Sequence, residues 1–320
     1  MRPDSPPPAT ILARNSLLGR ELVGLVEALG RAGVPVVVLK GPVLARRLGM
    51  RPDDRLIVDN DILVRRMDAP RAARVLSELG YQALDQRSLR TDLDNDFQHM
   101  MVRAHSSGSA LLAELHWRGF SPFHFTLPDD VLWNELVSFD FDGTRVSVLA
   151  QELELLHIAA HFTQHRLGEP RVLKTLGRAW SLWHGSSDLG KLRRLASEGQ
   201  LLHAFDYALH AAWALGHASA PPPWAPTGRA RALAGVLPPE RLNEIRPDKD
   251  YARMLLSFML VRPGKAALQL ARSAFPTPAK MRAIHGPVSP AELVGLYAAR
   301  PLRPLARSLG WRPQRESRPE

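Results

Sequence analysis

The feature that most constrains this chain is a short apolar run, Leu56 to Val64, with two aspartates inside it. Ile57, Val58, Ile62, Leu63 and Val64 have the β-branched, hydrophobic character of a buried strand, yet Asp59, Asn60 and Asp61 interrupt it. Side chains two apart in a strand project from the same face, about 7 Å apart along the backbone. Two carboxylates there repel each other, and burial adds to the cost, so the pair asks for a cation between them. The chain contains no cysteine. That removes thiolate zinc sites, disulfides and cysteine nucleophiles together, and the remaining carboxylate and imidazole ligands favour a hard ion such as magnesium.

An Asp-x-Asp pair also occurs in solvated turns, so its surroundings decide how it is read. Val34 to Leu39 is a continuously apolar run that reads as a buried strand and stops at Lys40-Gly41-Pro42. A glycine there lets backbone amides approach phosphate oxygens, and a lysine adds charge. Ala113-Glu114-Leu115-His116-Trp117 places a third acid in another apolar strand, able to share the face of Asp59 and Asp61 if that strand lies beside theirs.

The rest of the first 150 residues alternates between helical and strand patterns. Thr10 to Arg31 has apolar residues at helical spacing and ends before Gly33 and Pro35; Val43 to Leu48 reads as a short helix. Asp68 reads as the N-cap of a helix over Ala69 to Leu79, and Tyr81 to Leu84, Phe97 to Val102, Leu111 to Trp117 and Arg145 to Leu149 read as strands. Beyond Ala150 the pattern turns helical: Leu153 to His165, Val172 to Trp183, Asp188 to Ala196, Leu201 to Leu215, then further helices to about Leu309. The expected fold is therefore α+β, a mixed sheet with flanking helices over residues 1–150, then an all-helical domain over 151–312 and a disordered tail over 313–320. Pro221-Pro222-Pro223 with Pro226 reads as an internal linker.

The segments LKGPVLARRL, DDRLIVDNDILV with its following helix and LSELGY, AELHWRGF, LELLHIAAHFTQH and the Tyr-x-x-Arg of GLYAARPLRPLARSLGW together resemble the uncharacterised bacterial nucleotidyltransferases of the polymerase-β-like superfamily. The superfamily pattern is a strand and Gly-rich turn, a helix, a strand bearing Asp-x-Asp and a later strand bearing a third acid; Gly41, Asp59 with Asp61, and Glu114 match it. The resemblance implies a nucleotidyltransferase-like sheet, one or two Mg²⁺ ions held by Asp59, Asp61 and Glu114, and a nucleoside triphosphate such as ATP as donor. It implies transfer of a nucleoside monophosphate to the hydroxyl or phosphate of an unidentified small molecule, peptide, natural-product intermediate or protein. Glu114 would complete a second metal position or draw the proton from the attacking hydroxyl; Lys40, Gly41 and Arg55 would contact phosphates, and His116 would support the ligands. Two departures stand out. Lys40-Gly41-Pro42 replaces the Gly-Ser or Gly-Gly commonest in the superfamily, and the helix Val172 to Trp183 carries Gly177 and Arg178 where relatives have an aspartate.

Other signals are weaker. His157, His161 and His165 recur every fourth residue, a spacing open to zinc but without the glutamate of a zinc-protease motif, and read as a helix packing beneath the site. His99 and His105 stay ambiguous; Asp92, Asp94 and Asp96 read as a solvated turn, lacking the glycine and terminal glutamate of a calcium loop. The formal net charge is +10, and residues 251–320 hold 12 Lys/Arg against 3 Asp/Glu, so the surplus is concentrated at that end. Such a segment binds nucleic acid in some proteins, but it is also ordinary for an Arg-rich bacterial chain, and a nucleic-acid partner is not favoured. No apolar run approaches the length of a membrane span and MRPDSPPPAT is no secretory signal, so a cytoplasmic protein without membrane insertion is expected. The rival expectations are a noncatalytic nucleotide- or RNA-binding module and an antitoxin-like partner of another protein on the same fold.

Overall fold

The computed structural model describes residues 6–299 except 85–87, 107, 168–169, 244–249, 276, 279–280, 283–285 and 287; the expected tail at 313–320, the helical pattern to Leu309 and Arg300 of the Tyr-x-x-Arg motif lie outside the described residues. Helix α1 spans Pro8–Arg31. Its buried Ile11, Leu18, Leu22, Leu25 and Leu29 form one stripe, and it ends where Gly33 takes a φ of +66°. Strand β1, Val37–Val38, and helix α2, Gly41–Arg47, follow. The apolar run from Val34 forms so short a ladder partly because Pro35 has no N–H to donate, although Leu39 continues the pairing by donating its N–H to the Asp61 carbonyl at 3.1 Å.

Strand β2 is Asp59–Leu63 and helix α3 is Ala69–Glu78. Asp68 takes the N-cap position of α3, but its side chain makes no capping bond, because a 3₁₀ turn over Arg66–Asp68 leads directly into the helix. Next come β3, Gln82–Ala83; α4, Leu89–Asn95; β4, Gln98–Ala104; β5, Ala110–His116; α5, Asp129–Asn134; β6, Leu136–Phe141; and β7, Thr144–Leu149. The strands form one seven-stranded sheet in the order β3-β4-β5-β2-β1-β7-β6. β5 is parallel to β2 and β7 is parallel to β1, while the other neighbours are antiparallel. The segment expected as a solvated turn is helix α4, capped by Ser88. There Asp92 is buried and hydrogen-bonded to His99 Nδ1 at 2.7 Å, so a tertiary partner on β4 decides its environment.

Strand alternation sorts the sheet's two faces. Ile62, Val64, Leu111, Ala113, Leu115, Val146 and Val148 share a core with α1 and α3. Val37, Leu39, Leu63 and Leu149 join a second core with the helices that follow the sheet. Those helices are α6, Gln151–Gln164; α7, Pro170–Trp183; α8, Leu189–Glu198; α9, Leu202–Ala214; α10, Gly228–Val236; α11, Asp250–Phe258; α12, Pro263–Ala274; and α13, Pro290–Ala299. The residues after β7 are helical or irregular wherever they are described, and no helix among the described residues is long and apolar enough to cross a membrane.

Two contacts fasten this helical half. Arg178 of α7 donates through Nε to the Leu48 carbonyl and through Nη2 to the Gly49 carbonyl, both at 2.6 Å, which satisfies acceptors left open at the end of α2. The proline segment 221–226 is pinned and does not act as a free linker. Fully buried Asp206 accepts bonds from Trp224 Nε1 and the Thr227 N–H, each at 3.0 Å, and from Arg193.

Candidate metal centre

The site is set by the register of β2 against β5. Asp61 lies opposite Glu114 and Leu63 opposite His116, so in parallel strands the side chains of Asp59, Asp61, Glu114 and His116 all project from one face. It is the face that meets α6, since the neighbouring Asn60, Ile62, Ala113 and Leu115 point the other way. Lys40 enters from the end of β1, and Gly41 follows it with φ +69°. A Cβ at Gly41 would lie 3.4 Å from the Asp59 carbonyl oxygen. The glycine thus supplies both the left-handed turn and room for β2 alongside it.

Asp61 is the hub. Its Oδ1 accepts from Lys40 Nζ at 3.0 Å and from His116 Nε2 at 3.1 Å. The same imidazole nitrogen lies 3.3 Å from Glu114 Oε2, which also accepts from Gln98 Nε2 at 3.2 Å. Burial pushes the Asp61 carboxyl up, but Lys40 and His116 outweigh it and hold the group well below the usual carboxylate range. Burial likewise lowers His116, but its hydrogen bonds to Asp61 and Glu114 raise it to about 9, so the ring is an imidazolium with a proton on both nitrogens.

Asp59 stands apart. Its carboxylate has no hydrogen bond or ion pair among the described residues. Burial, followed by repulsion from Asp61 and Glu114, raises it to about 6 against the partial relief given by Lys40 and His116. The polar atoms of Asp61, Glu114 and His116 lie within 4.8 Å of one another; with His116 donating to both carboxylates, the oxygens of Asp61, Glu114 and neighbouring Asp59 are the ones left to ligate an ion. An under-compensated cluster of carboxylate oxygens fits a divalent cation with oxygen ligands.

The other sequence candidates divide clearly. Lys40, Gly41 and His116 are at the carboxylates. Arg55 is half-buried and directs Nη1 at Thr175 Oγ1 of α7, 3.3 Å away. The α6 histidines line the helix face over the site without forming a metal-ligand set among the described residues. His161 Nδ1 lies 3.4 Å from Lys40 Nζ, the His161 and His165 rings are 4.1 Å apart, and His157 meets the Phe120 ring edge-on at 5.6 Å. Sequence reasoning missed the Lys40–Asp61 ion pair and the supporting Gln98. The second was readable only from hairpin register, which sets Gln98 opposite His116.

Burial, then the charge of Lys40, depresses His157 to about 3 from its ordinary 6.5. The unfolded chain therefore takes up a proton between those values that the native state refuses, so this residue makes stability fall as pH drops below 6.5. By pH 5 the loss from His157 alone is about 2 kcal/mol. Urea midpoints measured at pH 7, 6 and 5 are expected to fall less steeply for His157→Gln than for the parent; equal slopes would mean that the imidazole protonates in place.

A family model described as an uncharacterised nucleotidyltransferase matches residues 9–216, a stretch that holds every strand among the described residues and all the residues of the site. No curated protein matches the chain. Among solved structures, an antigenic nucleotidyltransferase-like protein from Paracoccidioides brasiliensis is 13% identical, with 57% of this chain and 88% of that one covered and a TM-score of 0.37. The Thermotoga maritima CCA-adding enzyme complexed with tRNA is 11% identical, with 91% of this chain and 72% of that one covered and a TM-score of 0.28.

Proposed function

We propose that this chain, which belongs to the uncharacterised nucleotidyltransferase family, transfers a nucleoside monophosphate from a magnesium-bound nucleoside triphosphate to a hydroxyl or phosphate acceptor. The observation that carries the reading is the gathering of three carboxylates, Asp59, Asp61 and Glu114, on one sheet face, with Lys40 and His116 the cations paired with them among the described residues.

Asp59, Asp61 and Glu114 would hold the ion, which when bound withdraws charge from the phosphates and lowers the pKa of the attacking hydroxyl. The chain's own residues supply the rest. Lys40 offers an ammonium to a non-bridging phosphate oxygen, and Gly41 keeps the backbone low enough for phosphate to approach. His116 holds Asp61 and Glu114 in fixed orientation through its shared Nε2 proton. In the transfer, the acceptor oxygen bonds to the α-phosphorus and the bond from that phosphorus to the β-bridging oxygen breaks. Pyrophosphate leaves, and the hydroxyl proton passes to Glu114 or to water. The helical half, whose α6 faces the carboxylates, would bind the acceptor.

Calorimetric titration with each ribonucleoside triphosphate tests the nucleotide half of this reading. Binding is expected only with Mg²⁺ present and is expected to vanish in Asp59→Ala/Asp61→Ala. Equal binding in EDTA would instead support a nucleotide-binding module that uses no metal.

A further inference from the structure

The Lys40 ammonium touches two groups of opposite character, the Asp61 carboxylate at 3.0 Å and the His161 ring at 3.4 Å. An ammonium only donates, so His161 Nδ1 is the acceptor and its proton resides on Nε2. The ring is partly buried on α6 and lies against the tilted ring of His165 one turn later, the centroids 4.1 Å apart. A neutral ring here differs physically from a second acid. A carboxylate at 161 would bind the ammonium permanently, whereas imidazole offers a hydrogen bond without a competing charge.

Meanwhile Asp61 Oδ1 already carries two donors, and Asp59 beside it carries none among the described residues. A divalent ion entering between Asp59 and Asp61 meets a positive charge already seated on one of its ligands. We propose that Lys40 is a resident cation occupying the metal's place on Asp61, and that His161 is the positioning residue onto which its ammonium withdraws when a divalent ion arrives. The helical half thereby takes part in metal loading through a single hydrogen bond. The inference rests on the nucleotidyl-transfer reading for the use of that ion, but its test needs no turnover.

The experiment titrates the nucleotide-free protein with Mn²⁺, following free ion by electron paramagnetic resonance. The forms compared are the parent, Lys40→Met, His161→Leu, His161→Asn and the Lys40→Met/His161→Leu double variant, with the fold of each checked by circular dichroism. Lys40→Met is expected to bind Mn²⁺ about tenfold more tightly and His161→Leu about tenfold more weakly, the size usual for a residue that supports metal ligands. His161→Asn, which keeps an acceptor near the Nδ1 position, is expected to restore parent affinity. In the Lys40→Met background, His161→Leu should have no effect, because the residue acts only through the ammonium. A His161→Leu defect that persists in that background, or weaker binding by Lys40→Met, overturns the proposal and leaves nucleotidyl transfer standing. Absence of Mn²⁺ binding by every nucleotide-free form also overturns the proposal, while nucleotidyl transfer is judged separately by the magnesium-dependent nucleotide titration.

Discussion

Asp59→Asn is expected to abolish nucleotidyl transfer while making the nucleotide-free protein more stable. The loss should be at least about a thousandfold, since a metal-holding charge contributes several kcal/mol to stabilising the transferred phosphoryl group. The stability gain follows from the raised Asp59 carboxyl, at about 6 against an ordinary 3.8. A folded value above the unfolded one means that the native state resists ionisation. The penalty is fully present above pH 6, shrinks as pH falls, and is gone below about 4. Asparagine removes it, for a gain of about 1–2 kcal/mol at pH 7.5 after allowance for partial solvent screening. Asp61→Asn should do the reverse on the stability side, losing about 3 kcal/mol, because the amide removes the carboxylate that pairs with buried Lys40 and leaves His116 with Glu114 alone. Thermal melts of the two variants, read beside their activities, check the contrast. A destabilised Asp59→Asn protein would mean that this carboxylate is structural.

Gly177→Ala is expected to cost about 2–4 kcal/mol, although Gly to Ala inside a helix ordinarily gains about 1 kcal/mol. A Cβ on Gly177 would lie 2.5 Å from the His217 carbonyl carbon and 2.8 Å from the His217 Cβ. The first obstacle is backbone, which cannot rotate aside, so α7 and the segment after α9 must move apart. Displacing α7 also pulls on Arg178, whose guanidinium holds the Leu48 and Gly49 carbonyls beyond the Lys40-Gly41 turn. Urea unfolding reads the first effect; an unchanged or higher midpoint would show that α7 does not pack this closely.

Gly177 in this helix thus has a packing account that the sequence alone could not supply. The carboxylate strand was legible because acids in a β-branched run are costly to bury unless a cation sits among them, and Glu114 with His116 because the same logic applies to a second apolar strand. Register then follows from alternation, and it brings the two strands' polar residues onto one face. Three elements were not legible. Strand β6 is a largely exposed edge whose Ser138 and Asp140 dilute any apolar pattern, and α5 is only six residues long. Helix α4 was hidden by alternating acids, of which Asp92 alone is buried, against His99. The Lys40–His161 contact spans 121 residues, and no local pattern fixes how a helix docks over a sheet. The prolines at 221–226 suggested a free linker for a related reason: the buried Asp206 that pins them lies in the preceding helix.

Which phosphorus–oxygen bond breaks separates nucleotidyl transfer from phosphoryl transfer. Incubating the protein and Mg²⁺ with cell extract and nucleoside triphosphate labelled either at the α- or at the γ-phosphate distinguishes the outcomes directly. Nucleotidyl transfer predicts that α-label enters an acceptor while γ-label leaves as pyrophosphate, and that both events are lost in Asp59→Asn. Transfer of the γ-label to an acceptor, or α-label transfer that survives Asp59→Asn, would be incompatible with nucleotidyl transfer at these carboxylates.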